Sequence, residues 1–220
     1  MIQTACDGIV FDCDGVLVDS EPISCRVLCE MLNELGVRID VETTVRTFVG
    51  KPVRQELDII EQLTGRPLPP DWYEGFVIRR NERLADEIVA IRGIDTVLGH
   101  LATEGIPFAV ASGADRTKMR LMLGVCGLAT RFGDRLFGAD MVANPKPAPD
   151  VYQMAIAALG IEPARTVVVE DTPTGVRAGV AAGAVVLGYC ERNPAGELLA
   201  AGASAVFHDM RRLPRLLGLA

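Results

Sequence analysis

Short apolar runs rich in β-branched residues alternate along this chain with longer segments of helical periodicity. That alternation predicts βαβ units and a parallel sheet. Several runs lack polar alternation, as expected for strands whose two faces are both covered by helices. The predicted strands are 8–12, 107–111, 135–137, 166–170, 185–189 and 205–207. The predicted helices between them are 95–103, 116–124, 150–159 and 173–182.

The segment that follows the first strand has a different pattern. The stretches "SEPISCRVLCEMLNELG", "VRQELDIIEQLTG" and "DWYEGFVIRRNERLADEIVAI" place apolar residues at helical spacing, and no strand pattern appears between them. We therefore predict an α/β fold with a Rossmann-like three-layer core, a parallel sheet and an inserted α-helical domain. The predicted boundaries are 1–16 with 90–220 for the core and 17–89 for the insertion.

Charge and composition exclude several classes of function. The chain has 220 residues and a net charge of −7, which disfavours non-specific binding to nucleic acid or to anionic membranes. The N-terminus lacks the basic start of a signal peptide, and the longest uncharged run, 178–190, is too short to span a bilayer. Six scattered cysteines without a CxxC pair indicate reduced thiols and a cytoplasmic protein.

Chemically reactive residues lie at the ends of four predicted strands or in the loops that follow those strands. In open parallel sheets, ligands gather outside the carboxyl ends of the strands, so we expect these residues to converge. They are Asp12 and Asp14 after the first strand, Ser112 and Gly113 after the second, Lys146 in the loop "NPKPAPD", and Glu170 and Asp171 at the end of the fourth.

These residue types suit a site that binds magnesium and phosphate side by side. Converging carboxylates repel one another and favour a divalent cation, and ligands that are all oxygens suit Mg²⁺. The candidate metal residues are Asp12, Asp14, Glu170 and Asp171. Ser112 and the following backbone N–H groups, beginning with Gly113, suit an anion at a helix start, and Lys146 adds a positive charge.

The two aspartates of "FDCDG" suit covalent phosphoryl transfer. One carboxylate would attack phosphorus and form an aspartyl-phosphate, and the other would move the proton of the leaving oxygen and of the attacking water. A spacing of two residues places both side chains on the same side of an extended chain. Asp12 and Asp14 are therefore the candidate catalytic pair.

Four motifs in order resemble those of the haloacid dehalogenase superfamily: "FDCDGVLVDSE", "VASG", the lysine of "KPAPD", and "VVVEDTPTGVRAG". The inserted helical domain resembles the cap of its sugar-phosphate phosphatases and of beta-phosphoglucomutase. The resemblance implies that Asp12 is the nucleophile and Asp14 the general acid–base. It also implies that Asp12, the Asp14 carbonyl and Asp171 bind Mg²⁺ with Glu170 near or in the shell. Ser112 and Lys146 would then hold the transferred phosphate.

The resemblance favours hydrolysis of a small phosphate monoester, a sugar phosphate or related metabolite, with a phosphomutase as the alternative. The hexose-phosphate mutases of this family resemble the chain in having a valine after the glycine of the first motif, here Val16, but they carry a histidine where Ser24 aligns. The second aspartate and the Glu170–Asp171 pair argue against dehalogenation. Arg80 in the inserted domain is the candidate for a second anion contact. No nucleic acid or membrane partner is expected, and the protein would be a monomer or homodimer.

Each motif taken alone has a simpler interpretation. Asp12 and Asp14 before a glycine can form a turn, and Ser112 can be a helix N-cap. Lys146 can be a solvated surface lysine, and the pair Glu170 and Asp171 can merely favour the dipole of the following helix. Signalling receiver domains share similar residue types, but they are shorter and place the acceptor aspartate on a later strand. The order of all four motifs favours the enzyme.

Overall fold

The computed structural model describes residues 6–48 and 53–219. The chain divides into two compact units, residues 1–18 together with 90–220, which we call the α/β unit, and residues 19–89, which we call the inserted unit. The sequence placed these boundaries two residues earlier on the N-terminal side and at the same position on the C-terminal side. Each unit has a hydrophobic core of its own, and the two are described separately below.

The α/β unit is built on a single parallel sheet of six strands. The strands are β1 (Gly8–Phe11), β2 (Phe108–Ala111), β3 (Leu136–Phe137), β4 (Thr166–Glu170), β5 (Val185–Tyr189) and β6 (Ala205–Phe207). Their order across the sheet is β3-β2-β1-β4-β5-β6. The chain therefore starts in the middle of the sheet, adds strands on one side, and then continues on the other side of β1.

The described residues form eleven α-helices, and seven of these belong to the α/β unit. These seven are α5 (Ile94–Thr103), α6 (Arg116–Val125), α7 (Ala129–Phe132), α8 (Asp150–Leu159), α9 (Pro173–Ala181), α10 (Ala195–Ala200) and α11 (Leu213–Leu216). The predicted α/β fold and parallel sheet are confirmed. The predicted bounds of β4, β5, β6 and α8 agree residue for residue, and the other predicted elements differ by one residue at one end.

Both faces of the sheet are covered, which explains why the strands read as continuous apolar runs. Alternation along β1 turns Val10 to one face and its neighbours Ile9 and Phe11 to the other. Val10 joins a buried cluster with residues of α8, α9 and α10. On the opposite face Phe11 packs edge-on against Phe108, and Phe108 packs edge-on against Phe132 of α7.

In the part that the structure describes, the regular secondary structure of the inserted unit is helical, and loops connect the helices. Its helices are α1 (Glu21–Glu34), α2 (Val41–Phe48), α3 (Leu57–Thr64) and α4 (Trp72–Glu87). A separate apolar cluster forms its core, and Trp72 stacks on Phe76 within that cluster. Exposed ion pairs such as Arg79 with Glu34 connect α1 and α4 at the surface. Ion pairs this exposed contribute little to stability, so burial of the apolar cluster is the main stabilising term.

All six cysteines are free thiols, and Cys13, Cys25, Cys29 and Cys190 are buried. Among the described residues, no helix combines the length and the apolar character that a membrane span needs.

Candidate active site

The site forms where three neighbouring strands of the α/β unit end. In the parallel register, Phe11 of β1 lies beside Val110 of β2 on one side and Val169 of β4 on the other. The residues that follow these positions therefore emerge at the same edge of the sheet. That register brings Asp12, Ser112 and Glu170 together, as the sequence predicts.

Lys146 connects the ends of all three strands. Its Nζ lies 2.7 Å from Oδ1 of Asp12, 3.1 Å from the carbonyl oxygen of Ala111 and 2.8 Å from Oε1 of Glu170. The hydroxyl oxygen of Tyr152 is a fourth neighbour, at 2.9 Å. The side chain of Lys146 is only 9% exposed, so the interpretation as a solvated surface lysine is wrong.

Electrostatics in this cluster are strong because it excludes water. Burial raises the pKa of the Asp12 carboxyl to about 7; the charges of Glu170 and Asp14 add to the rise, and Lys146 opposes it. Burial alone would discharge Lys146, but the adjacent carboxylates of Asp12 and Glu170 raise its pKa. Lys146 is therefore a permanent cation beside the candidate nucleophile.

Glu170 is enclosed by hydrogen bonds within the protein. Its Oε1 accepts from Lys146 and from the hydroxyl of Tyr152, and its Oε2 accepts from the backbone N–H groups of Asp171 and Thr172 and from the Thr172 hydroxyl. Burial opposes ionisation of Glu170, but Lys146 and these donors together lower its pKa. Gly175 makes the enclosure possible, because a Cβ there would overlap the Glu170 carboxylate.

Three acidic side chains lie close enough to share one cation. Ligand atoms of Asp12, Glu170 and Asp171 all lie within 4.8 Å of one another, and all three residues are buried. Gly15, which has a positive φ of 78°, leaves room for the Asp171 carboxylate, since a Cβ there would overlap it. Asp171 thus lies against Gly15, and the peptide bond between Asp14 and Gly15 contains the Asp14 carbonyl.

The side chain of Asp14 is directed to a different partner. Its Oδ1 accepts a hydrogen bond of 2.6 Å from Nζ of Lys118, on the first turn of α6. The Asp14 carboxylate does not belong to the three-residue acidic cluster. A metal contact by Asp14 therefore stays a prediction for its backbone carbonyl alone.

Ser112 lies at the site, but it is not the N-cap of the following helix. α6 begins three residues later than an N-cap at Ser112 would require, and its N-cap is Asp115, whose carboxylate accepts from the N–H of Lys118 at 2.8 Å. The hydroxyl oxygen of Ser112 accepts instead from the N–H of Ala114 at 3.0 Å, and Ser112 is buried. Gly113 is exposed directly after it.

The contacts of Glu170 and Asp171 do not fit the alternative interpretation, in which the two residues merely interact favourably with the dipole of the following helix, α9. Thr172 is the N-cap of α9, and its hydroxyl accepts from the N–H of Gly175. Glu170 and Asp171 precede this cap and turn to Lys146, Gly15 and each other.

Arg80 belongs to α4 of the inserted unit. Its guanidinium donates to the side-chain oxygen of Asn81 and lies over the ring of Phe76, 5.6 Å from the centroid. Its predicted contact with a substrate anion therefore stays a prediction.

Three contributors to the site have no signal in the sequence motifs. Lys118 binds Asp14, and Tyr152 binds both Lys146 and Glu170. The side-chain amide of Asn193 donates a hydrogen bond of 2.7 Å to the backbone oxygen of Asp171. A lysine, a tyrosine and an asparagine of this kind are ordinary residues when taken alone. The one sequence feature that points to Tyr152 is its position on the inward face of α8, six residues after Lys146.

A doubly covered parallel sheet with acidic side chains and a buried lysine at the carboxyl ends of adjacent strands defines a Rossmann-like enzyme. A family model described as haloacid dehalogenase-like hydrolase matches residues 6–183. The chain belongs to this family, and the predicted family is confirmed. The chain is accordingly a hydrolase.

Similarity to characterised and solved proteins extends over almost the whole chain. 6-Phosphogluconate phosphatase of Escherichia coli strain K12 is 28% identical over 211 residues, which are 96% of this chain and 94% of that protein. A family hydrolase from Deinococcus radiodurans R1, solved with bound phosphate and sodium, has a TM-score of 0.84 at 33% identity, covering 99% of this chain and 98% of that one. A candidate beta-phosphoglucomutase from Thermotoga maritima has a TM-score of 0.82 at 25% identity, covering 96% and 98% respectively.

Proposed function

We propose that this chain is a Mg²⁺-dependent phosphatase that hydrolyses a small phosphate monoester, a sugar phosphate or related metabolite, through an aspartyl-phosphate. The observation that carries the proposal is the contact of 2.7 Å between Lys146 and Asp12 inside the acidic cluster. It gives a carboxylate nucleophile a cation that is also available to the phosphate. The similarity to a phosphatase acting on a phosphorylated sugar acid supports the substrate class.

The residues present fit a magnesium ion. The donors are carboxylate oxygens, and four carboxylates against the ammonium groups of Lys118 and Lys146 leave an excess negative charge that a divalent cation would neutralise. Asp12, Asp171 and the Asp14 carbonyl would hold the ion. When bound, Mg²⁺ would withdraw charge from the phosphate oxygens and reduce their repulsion of the nucleophile.

Glu170 has a different proposed role from the other acids. Both of its oxygens already accept hydrogen bonds from within the protein, five in all. A carboxylate so enclosed has little remaining capacity to bind a metal directly. We therefore assign Glu170 the task of holding Lys146 in place, while Asp12 and Asp171 supply the ligand oxygens.

In the first half of the reaction, Asp12 attacks phosphorus and the bond to the ester oxygen breaks. Lys146, the Ser112 hydroxyl and the N–H of Gly113 hold the phosphoryl oxygens, and Asp14 gives a proton to the leaving oxygen. In the second half, water attacks the same phosphorus, the bond to Asp12 breaks, and Asp14 takes the proton of the water. Inorganic phosphate leaves and both aspartates return to their initial state.

A phosphomutase is the second candidate, favoured by Val16 and by the structural similarity to the Thermotoga maritima protein. Ser24 stands where the mutases carry a histidine, which favours the phosphatase. The six free thiols support a cytoplasmic enzyme, and a monomer or homodimer is the proposed form.

The test is phosphate release from a panel of phosphorylated sugars and sugar acids, with Mg²⁺ and with chelator. We expect chelator to abolish release and Asp12→Asn to lower kcat by at least about a thousand-fold, as for removal of other covalent nucleophiles. Asp134→Asn, at an exposed aspartate away from the acidic cluster, is the matched control and should leave kcat unchanged. Full activity of Asp12→Asn would refute the mechanism, whereas conversion of a hexose 1-phosphate to its 6-phosphate without phosphate release would establish the mutase.

A further inference from the structure

Lys118 forms a close ion pair with Asp14 across a sequence separation of 104 residues. The Nζ–Oδ1 distance is 2.6 Å, and the side chains are 13% and 24% exposed. The pair is therefore better shielded from water than the ion pair that Arg116, also on α6, forms with Asp140 outside that helix, whose side chains are 42% and 35% exposed.

The backbone of α6 fixes the position from which Lys118 reaches Asp14. Asp115 caps the helix and accepts a hydrogen bond from the N–H of Lys118 itself. The next residue, Met119, is completely buried and anchors this turn of the helix to the core. The backbone of Lys118 is therefore fixed, and its side chain, only 13% exposed, extends from this point to Asp14.

Stability does not account for this ion pair. Removing two charges from water costs about as much as their attraction returns, so shielded ion pairs contribute little net stability. What the pair does supply is a fixed direction for one carboxylate oxygen. That carboxylate belongs to the residue assigned the proton transfers in the proposed mechanism.

We propose that Lys118 is a positioning residue that orients the Asp14 carboxyl for proton transfer to the leaving oxygen. The proposal rests on the phosphatase function proposed above. As Asp12 bonds to phosphorus, the ester bond breaks with its electron pair on the leaving oxygen, and the Asp14 proton moves to that oxygen. Asp14 becomes a carboxylate next to the Lys118 ammonium, which keeps its own protons and compensates the new charge.

A lysine that acts through Asp14 has a kinetic signature that a purely structural lysine lacks. A basic leaving group such as an alkoxide needs the proton, whereas a dinitrophenolate leaves well without it. Since kcat/KM reports the steps up to the first irreversible one, it isolates transfer of the phosphoryl group to Asp12 from the later hydrolysis. Loss of Lys118 should therefore affect substrates in proportion to the basicity of the leaving group.

The experiment measures kcat/KM for an alkyl phosphate, phenyl phosphate, nitrophenyl phosphate and dinitrophenyl phosphate with wild type and Lys118→Met. We expect a loss of about 10- to 100-fold for the alkyl phosphate, which is a fraction of the roughly 10²- to 10⁴-fold that general acid catalysis contributes, and less than about threefold for dinitrophenyl phosphate. Inhibition by inorganic phosphate should not change. Lys118→Arg, which keeps the charge, should restore much of the activity on the alkyl phosphate.

Controls separate this inference from the phosphatase proposal. Arg120→Met removes an exposed cation from the same helix and should leave all four values unchanged. Equal losses on every substrate, together with weaker inhibition by phosphate, would overturn the inference and make Lys118 a phosphate ligand. No loss on any substrate would also overturn it. A wild-type protein that hydrolyses neither these esters nor any phosphorylated sugar of the panel would refute the phosphatase proposal itself, and this inference with it.

Discussion

The hydroxyl of Tyr152 donates a hydrogen bond of 2.9 Å to Oε1 of Glu170, and both residues are at most 1% exposed. Nζ of Lys146 donates to both oxygens, so that the three side chains form a closed triangle. Burial, followed by the charge of Glu170, raises the pKa of Tyr152 well above its usual value. The hydroxyl therefore remains a donor, and Lys146 is held by a neutral group on one side and a charged one on the other.

The first prediction concerns Tyr152→Phe, which removes this hydroxyl and nothing else. Lys146 and Glu170 each lose a hydrogen-bond partner at a point that water does not reach. We expect the free energy of unfolding to fall by about 1–3 kcal/mol, the usual cost of leaving buried polar groups unsatisfied. Urea denaturation of the two proteins measures the difference.

Tyr189→Phe is the matched control for this substitution. The Tyr189 hydroxyl also binds a carboxylate, that of Glu191 at 2.6 Å, but Glu191 is exposed and water replaces the lost donor. The expected loss is below about 1 kcal/mol. Equal losses for the two tyrosines would contradict the role given to the buried triangle.

The second prediction contrasts two glycines that both lie inside helices. A Cβ at Gly175 of α9 would overlap the Glu170 carboxylate, so we expect Gly175→Ala to destabilise the protein by at least about 1–3 kcal/mol, as for other overpacked sites. A Cβ at Gly99 of α5 would meet nothing within 4 Å, and Gly99→Ala should stabilise the protein by up to about 1 kcal/mol. Thermal unfolding of both variants decides the point, and a stabilising Gly175→Ala would contradict the enclosure of Glu170.

The parts of the site that sequence predicts are those carried by short local patterns. Asp12, Lys146 and Asp171 each follow a strand or lie in a strand-to-helix loop, and parallel strands bring such positions to one edge. The strands themselves are legible because burial on both faces produces β-branched runs such as that of β4. Local sequence patterns are therefore sufficient to predict both the strands and the site residues at their ends.

The remainder depends on contacts between residues distant in sequence. The order of strands across the sheet and the pairing of Lys118 with Asp14 arise from packing over about half the chain, which no local pattern encodes. The predicted helix 116–124 begins directly after Asp115, but Ser112 and Asp115 are both residue types that cap helices, so residue type alone does not exclude Ser112 as a cap. The structure excludes Ser112, because its hydroxyl accepts from the N–H of Ala114, and the carboxylate of Asp115 is the cap.

The third prediction concerns Asn193, whose amide holds the backbone oxygen of Asp171 at 2.7 Å. Asn193→Ala removes this support from a proposed metal ligand without touching the ligand side chain. Residues that orient a metal ligand typically change metal affinity by about 10- to 100-fold when replaced, so the Mg²⁺ dissociation constant should rise by that factor. Titration calorimetry with MgCl₂ measures it directly.

The control for Asn193 is another asparagine that holds an acidic residue. The side-chain amide of Asn144 donates a hydrogen bond of 3.0 Å to the carboxylate of Asp150, and Asp150 lies outside the acidic cluster. Asn144→Ala should leave Mg²⁺ binding unchanged. An unchanged affinity in Asn193→Ala would show that Asp171 needs no such support.

The last prediction is a pH dependence of stability that arises away from the site. Both oxygens of the Asp7 carboxylate bind the Arg165 guanidinium, and the N–H of Asp7 donates to the Arg165 carbonyl, which joins the residues that precede β1 and β4. The hydrogen bonds from Arg165 lower the pKa of Asp7 below its ordinary 3.8. Because the folded-state pKa is the lower one, the pair stabilises the fold above the unfolded-state pKa and loses that contribution as the pH falls through the folded-state value.

A double-mutant cycle with Asp7→Asn and Arg165→Met measures this contribution without interference from other carboxylates. The coupling between the two substitutions should be small, because the pair is exposed, and constant above about pH 5, where Asp7 is ionised in both states. It should decrease as the pH is lowered through the range in which Asp7 takes up its proton, and added salt should reduce it further. A coupling that grows toward acidic pH would mean that Asp7 is protonated more readily in the folded protein, which is the opposite of what its contacts with Arg165 require.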